Sequence, residues 1–358
     1  MSVTDFIRVL MISLLFCGAM QAQEVSLSNS EKWKLSGRVQ LQHLVDTQTK
    51  SDAEKTNNGF RMRRVRFQIK SQLNNFVSAK IQVEARDNSP RLKDGELKIK
   101  LFSHNYLRAG QFKIPVWREE LRSSGKLFLV ERSAAAEFLA ENYLSARHIG
   151  IEFGGKTGNI SYRLNYSNGA GEGGREDAGR SKSETVNNGK MVSARLEGQL
   201  NDAIAFGLSA AFNRLGDKVN GADKSGMVRV VAPDFSYRPV ENLELEGGAA
   251  FGKLDKNYLM SDEDAGFVLL DLTGRWSAKF QKEVEAFGGL SVWEIAAGIS
   301  RVEPNDNLDG DDYLVYRFGP AVYFGKTTRL QINVEVEDYA ASGAETITRI
   351  RSQLTVNL

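Results

Sequence analysis

Basic side chains recur at alternate positions of this sequence, a spacing suited to attracting anions. Around residue 64 one parity carries Arg64, Arg66 and Lys70, while Val65 and Phe67 occupy the other. A row of cations along one face concentrates anions and replaces part of their hydration shell. The candidate anion-attracting residues are Arg64, Arg66, Lys70, Lys80, Lys98, Lys100, Arg108 and Lys113.

A second interpretation of the same residues stays open. Glu84 and Glu96 lie on the same polar parity as the cations. Polar side chains of both signs can simply fill a water-filled interior, where Arg and Lys pair with these carboxylates. Such a mixed-charge interior would not distinguish anions from cations.

The elements that carry these residues are strands. Alternation of apolar and polar residues recurs from about residue 33 to the last residue. A period of two indicates a strand with two unlike faces. Strands of about ten such residues, separated by turns, are typical of a transmembrane β-barrel with lipid outside and water inside. Two β-sandwich domains would instead require polar outer faces. The sequence therefore predicts an all-β fold, a closed antiparallel transmembrane β-barrel of about 16 strands.

The termini and composition limit the other classes. Arg8 precedes a short apolar run at 9–17, and small residues follow, so we expect a signal peptide over residues 1–22 and a barrel domain over 23–358. The single cysteine, Cys17, excludes disulfide scaffolds and cysteine-based zinc sites in the exported chain. The net charge of +2 gives no support for a nucleic-acid partner.

One long segment breaks the alternation. Residues 114–146 hold several charges and a helix-like piece at 133–140. Folded into the barrel, this segment would form a constriction of mixed sign; otherwise it is a solvated external loop. The candidate constriction residues are Arg118, Glu119, Glu120, Arg122, Lys126, Glu131 and Arg132.

Signals for catalysis and for cofactors are weak. The three histidines, His43, His104 and His148, lie far apart and have no metal-site spacing, so we expect no metal site and no cofactor. The glycine-rich run at 169–174 indicates a flexible external loop rather than a nucleotide site. The acidic run at 305–312 could bridge divalent ions to lipopolysaccharide.

Several motifs resemble those of the phosphate-selective porins O and P. They include Gly-Gln-Phe-Lys-Ile-Pro at 110–115, Val-Glu-Arg-Ser at 130–133, Arg-His-Ile-Gly-Ile-Glu-Phe at 147–153 and Val-Trp-Glu-Ile at 292–295, in a consistent order over nearly the whole exported chain. The resemblance implies an outer-membrane homotrimer that passes small anions, phosphate among them. It also implies that residues 115–146 fold into the barrel and narrow the channel.

The functional expectation is therefore a passive diffusion channel in the bacterial outer membrane. Small hydrophilic solutes would cross its lumen, with a preference for anions such as phosphate. The alternatives are an unselective general porin and a structural or adhesion barrel without conductance. An enzyme is not expected, because nothing marks a serine as the nucleophile that a barrel phospholipase needs. Outer-membrane lipid and lipopolysaccharide are expected to surround the barrel.

Overall fold

The computed structural model describes residues 24–28, 31–46, 57–86, 89–102, 104–174, 189–216, 225–280, 289–341 and 343–358. The predicted signal peptide, residues 1–22, lies outside these ranges. Seventeen strands make up most of the described chain. The strands are β1 Glu24–Ser28, β2 Glu31–Asp46, β3 Asn57–Gln72, β4 Val77–Arg86, β5 Ser89–Lys100, β6 Tyr106–Lys113, β7 Arg147–Thr157, β8 Ile160–Ser167, β9 Met191–Gln199, β10 Ile204–Leu215, β11 Gly226–Val240, β12 Leu243–Leu254, β13 Ala265–Lys279, β14 Leu290–Glu303, β15 Tyr313–Phe324, β16 Thr328–Tyr339 and β17 Ile347–Asn357.

Sixteen of these strands, β2 to β17, close into one antiparallel barrel. Each pairs with the strand before and after it, and β17 pairs with β2 in a register that sets Gln353 opposite Gln42. Strand β1 adds a short hairpin to the beginning of β2. Closure leaves no row of unpaired backbone groups facing lipid. The predicted fold class and the count of 16 are confirmed.

The two faces of the strands differ as the alternation predicts. On β9, Val192 and Leu196 are about half exposed on the outside, whereas Ser193 and Arg195 are buried on the inside. Strand β11 alternates strictly between exposed and buried residues from Met227 to Asp234. The outer surface is thus an apolar band, and its exposure marks the surface that meets lipid.

The connections differ at the two ends of the barrel. Tight turns such as 200–203, 241–242 and 325–327 occupy one end, which we call the short-turn end. Longer connections, including 114–146, 255–264 and 304–312, occupy the other, the long-loop end. Three short helices lie in these longer connections: α1 Arg118–Leu121, α2 Ala134–Glu141 and α3 Lys256–Leu259. No helix in the described ranges is long and apolar enough to cross a membrane.

The outward orientation of β9 predicts how it tolerates charge. Leu196 lies outside at the middle of the strand and is 54% exposed. Leu196→Arg would place a guanidinium in the hydrocarbon layer, so we expect the unfolding free energy in lipid vesicles to fall by about 2–4 kcal/mol. Denaturant titration followed by tryptophan fluorescence measures this change.

A substitution on the other parity of the same strand is the control. Gln199 shares the parity of the inward Ser193 and Arg195 and is exposed at the end of the strand, so Gln199→Arg should change the unfolding free energy by less than about 1 kcal/mol. Equal destabilisation by the two variants would contradict the assignment of the faces.

Candidate functional site

The segment between β6 and β7 lies inside the ring of strands. On β16, Arg329 donates a 2.7 Å hydrogen bond to the carbonyl oxygen of Leu127, and Asn333 accepts one from the backbone N–H of Val130. On β11, Asp234 accepts a 2.9 Å hydrogen bond from Nε of Arg118. Contacts with strands so far apart around the ring require the segment to cross the lumen.

Apolar packing fixes this segment against one wall. Ser133 caps the beginning of helix α2, and its hydroxyl accepts a hydrogen bond from the N–H of Ala136. Ala135 and Leu139 belong to a buried cluster with inward-facing side chains of β11 and β13, such as Val228 and Leu269. The expectation of a polar inner face therefore holds for β2 to β8 but is wrong for the long-loop half of β9 to β14. There the helix, rather than water, covers the inner face.

Charge fixes the segment to the opposite wall. Glu131 is 8% exposed and lies within 2.5 to 3.6 Å of guanidinium nitrogens of Arg61, Arg63 and Arg64 on β3. Burial raises the pKa of Glu131, but the hydrogen bond from Arg63 and the positive charge of Arg64 outweigh it and hold the pKa well below its ordinary value. The carboxylate therefore stays ionised at neutral pH, and its contribution to stability is lost only as the pH falls through that lowered pKa.

A β-bulge makes the cluster around Glu131 possible. The register between β2 and β3 shifts between Gln40 and Leu41, which pair with Arg64 and Met62 respectively, so Arg63 is the extra residue. An extra residue changes the alternation and lets neighbouring side chains point to one face. The doublet Arg63-Arg64 was the only sequence signal for this bulge.

Other predicted constriction residues are also held by ion pairs. Glu120 is buried between Arg132, at 2.6 Å, and Lys113, at 3.3 Å. Glu119 accepts a 3.0 Å hydrogen bond from the backbone N–H of Ser133.

Two arginines of the segment pair with carboxylates on β11 and β12. Arg118 pairs with Asp234, and Arg122 pairs with Glu244 at 3.3 Å and also with Glu246. Lys126 is exposed.

A cavity of about 460 Å³ lies between this segment and the polar inner face of β2 to β8. Leu121, Ser123 and Ser124 form its boundary on the side of the segment. Asp94 is the one acidic side chain among the lining residues in the described ranges. The basic lining residues are Arg38, Arg66, Lys70, Lys80, Arg108, Lys113, Arg147 and Arg163.

Carboxylates neutralise most of the predicted cations. Arg64 pairs with Glu131 and Lys113 with Glu120, as described above. The remaining pairs are Arg66 with Glu84 at 2.5 Å, Lys80 with Asp94 at 3.2 Å and Glu96 at 2.8 Å, and Arg108 with Glu96 at 3.1 Å and Glu152 at 2.8 Å. Arg147, a lining residue that was not among the predicted cations, pairs with Asp94 at 2.8 Å.

Three basic residues of the cavity make no salt bridge within the described part of the chain. They are Lys70, Arg38 and Arg163; Arg38 instead donates to the hydroxyl of Ser124 at 3.1 Å and to the side-chain oxygen of Asn357 at 2.8 Å. Sequence reasoning named Lys70 and missed the two arginines. Both lie on the polar parity of their strands, so the signal that identified Lys70 could have identified them.

The last two predicted cations lie nearer the short-turn end. The ammonium of Lys98 lies 3.6 Å from the centre of the Tyr106 ring, a cation–π contact. Lys98 also lines a second cavity, together with Lys70, Lys80, Lys32 and Lys34. Lys100 is exposed at the end of β5.

A second connection also folds inward. Gly169, Gly171 and Gly173 adopt positive φ angles of 74°, 78° and 76°, which glycine tolerates best. The N–H of Gly173 donates a 2.8 Å hydrogen bond to Gln111, and Glu172 pairs with Lys93 at 2.8 Å. The expectation of a flexible external loop is therefore wrong for residues 169–174, because these bonds hold the backbone against inward-facing side chains.

The described ranges contain no cluster of His, Cys, Asp and Glu residues that could hold a metal ion. Of the three histidines, His148 is 1% exposed. Its ring lies 3.0 Å from the carbonyl oxygen of Ser145 and accepts a hydrogen bond from the N–H of Gly171. This histidine therefore supports the two inward segments.

Solved structures share this fold at low sequence identity. The anion-selective porin from Comamonas acidovorans superposes with a TM-score of 0.65 at 12% identity, covering 92% of this chain and 100% of that one. The outer membrane channel DcaP of Acinetobacter baumannii gives 0.62 at 12% identity over 94% and 100%. A trimer form of the outer membrane protein OmpT of Vibrio cholerae gives 0.61 at 8% identity over 92% and 100%.

Sequence comparison identifies the family directly. No curated protein matches the chain significantly. The family model described as "Phosphate-selective porin O and P" matches residues 34–239, which is more than half of the chain. This range contains the Glu131 cluster and nearly all of the basic cavity. The chain therefore belongs to the family of phosphate-selective porins O and P, channel-forming β-barrels of the bacterial outer membrane.

Proposed function

We propose that this protein is a passive channel that prefers small anions such as phosphate. The observation that carries the proposal is the basic cavity, where eight cationic side chains and one acidic side chain line the space. Uncompensated positive charge in a narrow space with low-dielectric walls raises the local concentration of anions. The constriction segment supplies the narrow space.

The selective charge is assigned to Arg38, Lys70 and Arg163. A cation already paired with a carboxylate presents little net charge to a passing ion, because the two fields cancel within a few ångströms. The three residues without a carboxylate partner keep their full charge toward the lumen. A multivalent anion such as phosphate gains more from this field than chloride does.

The alternative is an unselective general porin. The ion pairs of Arg66, Lys80 and Arg108 favour it, since they neutralise many of the cations that the sequence offers. A barrel without conductance is the third candidate, favoured by the number of bonds between the constriction segment and the walls. Ion selectivity in a bilayer distinguishes all three.

We further propose that the chain assembles as a homotrimer in contact with lipopolysaccharide. The resemblance to this family implies trimers, and the fold is shared with a protein solved in a trimer form. Each subunit encloses its own basic cavity, so a trimer would carry three parallel paths. Native mass spectrometry of the extracted protein measures the oligomeric state.

The first test of the channel is the reversal potential of purified protein in a planar bilayer under a KCl gradient. We expect the reversal potential to have the sign of a channel that is more permeable to chloride than to potassium. Added phosphate should reduce the chloride current. A potential near zero would support the general porin. Absence of conductance would support the structural barrel.

Charge removal at the assigned residues should reduce the selectivity. We expect Lys70→Gln and Arg163→Gln each to shift the reversal potential toward zero, and the double variant to shift it further, because the uncompensated charge is removed. Lys326 is exposed in a short turn outside the lumen, so Lys326→Gln is the matched control. Equal shifts by the control would contradict the assignment.

Neutralising Glu131 should affect both stability and selectivity. Glu131→Gln leaves three guanidinium groups without their shared carboxylate, so we expect the unfolding free energy to fall by about 3 kcal/mol. The released positive charge should also increase the anion preference. Denaturant titration and reversal potentials measure the two effects.

Glu141 provides the control for that variant. It lies at the end of α2 in the same segment, is exposed and forms no salt bridge within the described residues. Glu141→Gln should leave both measurements close to wild type. If Glu131→Gln behaved like Glu141→Gln, the cluster would not hold the constriction segment.

A further inference from the structure

Three basic residues interrupt the apolar outer surface at the long-loop end of β10 to β12. Phe212 and Phe251, both about half exposed, show which parity faces outward. Farther toward the long loops the same parity carries Arg214, Arg229 and Lys253. The three side chains therefore lie on the lipid-facing surface, where the strands leave the hydrocarbon layer.

The strand register brings these side chains together. Arg229 pairs directly with Lys253 across β11 and β12. Arg229 also pairs with Phe212, two residues before Arg214, so Arg214 is its diagonal neighbour across β10 and β11. Directly paired and diagonal positions lie within reach of long side chains. The result is a cluster of three positive charges, the outer basic cluster.

Little in the described part of the chain neutralises this cluster. Lys253 pairs with Asp264 at 3.0 Å, and both side chains are about 40% exposed. Arg214 and Arg229 are exposed and form no salt bridge within the described residues. Like charges side by side repel one another, and cations near hydrocarbon are costly unless they reach anionic groups at the membrane surface. Within the described residues, the cluster therefore lacks the anionic partners that its charge calls for.

An apolar hollow of about 770 Å³ lies below the cluster on the same outer surface. Its lining residues include the small Ala249 and Pro233 and the larger Phe206, Phe235 and Leu270. Ala249 lies four residues from Lys253 along β12, and Pro233 lies four from Arg229 along β11. At about 3.3 Å per residue, the hollow is about 13 Å from the charges, toward the middle of the membrane.

We propose that the outer basic cluster and the hollow together bind one phosphorylated, multiply acylated glycolipid of the outer leaflet. Its phosphate groups lie against Arg214, Arg229 and Lys253, and one acyl chain fills the hollow. Free phosphate could bind only the basic cluster, and an uncharged lipid could fill only the hollow. A ligand with a phosphorylated head and acyl chains matches both, in the vertical order that the membrane imposes. This site faces away from the lumen and does not depend on the proposed selectivity.

The test uses full-length protein in detergent, stripped of lipid and then titrated with purified bis-phosphorylated lipid A. Native mass spectrometry counts the lipid that each barrel retains. We expect the double variant R214Q/R229Q to bind about tenfold more weakly, because two phosphate contacts are lost. Ala249→Phe keeps the charges and fills the hollow, so we expect it to weaken binding severalfold.

Two further variants serve as controls. Lys156 and Lys326 are exposed near short turns at the opposite end of the barrel, so K156Q/K326Q removes equal charge and should retain lipid A as wild type does. R214K/R229K keeps the charges and should restore most of the binding. Because the cluster faces outward, R214Q/R229Q should leave the reversal potential unchanged, which separates this proposal from the channel proposal.

Two results would overturn the proposal. If R214Q/R229Q retained as much lipid A as the wild-type protein does, the basic residues would not bind the headgroup. Retention of dephosphorylated lipid A or of phosphatidylglycerol as tight as that of bis-phosphorylated lipid A would show a non-specific lipid surface. Heat-dependent electrophoretic mobility confirms in each case that the variant barrel has folded.

Discussion

Backbone hydrogen bonding in a medium without water is the constraint on which the rest of this structure depends. Every N–H and C=O group within the hydrocarbon layer needs a partner in the protein, so the sheet must close. Closure by β17 on β2 fixes the register all around the ring. Register then decides, with a period of two, which side chains meet lipid and which meet the lumen. The basic cavity, the Glu131 cluster and the outer basic cluster all follow from that assignment.

The lumen is divided between two kinds of interior. Along β9 to β14 the constriction segment is held as a helix is held in a soluble protein, by buried residues such as Leu139 and Leu269. Along β2 to β8 the interior is wet and charged, and the same segment is held there by Glu131. The space for solutes consequently lies beside the charged wall, where the uncompensated cations are.

Alternation in the sequence was sufficient to predict the barrel, its closure and the polar parity of β3 to β6. It was not sufficient for the pairing of charges, because Arg66 and Glu84 come together through a register that only the closed sheet defines. Strict alternation would place Arg63 on the same face as Val65, but a bulge at Arg63 changes the parity there. Apolar residues on the inner face, such as Val228, could not be predicted to pack against a helix, because an apolar side chain suits contact with lipid equally well.

The apolar inner wall has a consequence for assembly. A barrel strand normally marks its inner face by polarity, yet on β13 the inward Phe267 and Leu269 alternate with the outward Val268 and Leu270, so both faces are apolar there. Without α2, this part of the sheet has no face that prefers water, so polarity alone does not distinguish its inner face from its outer face. Helix α2 packs on the inner face and so distinguishes it from the face that meets lipid. The segment that narrows the lumen therefore also completes the core of the wall against which it packs.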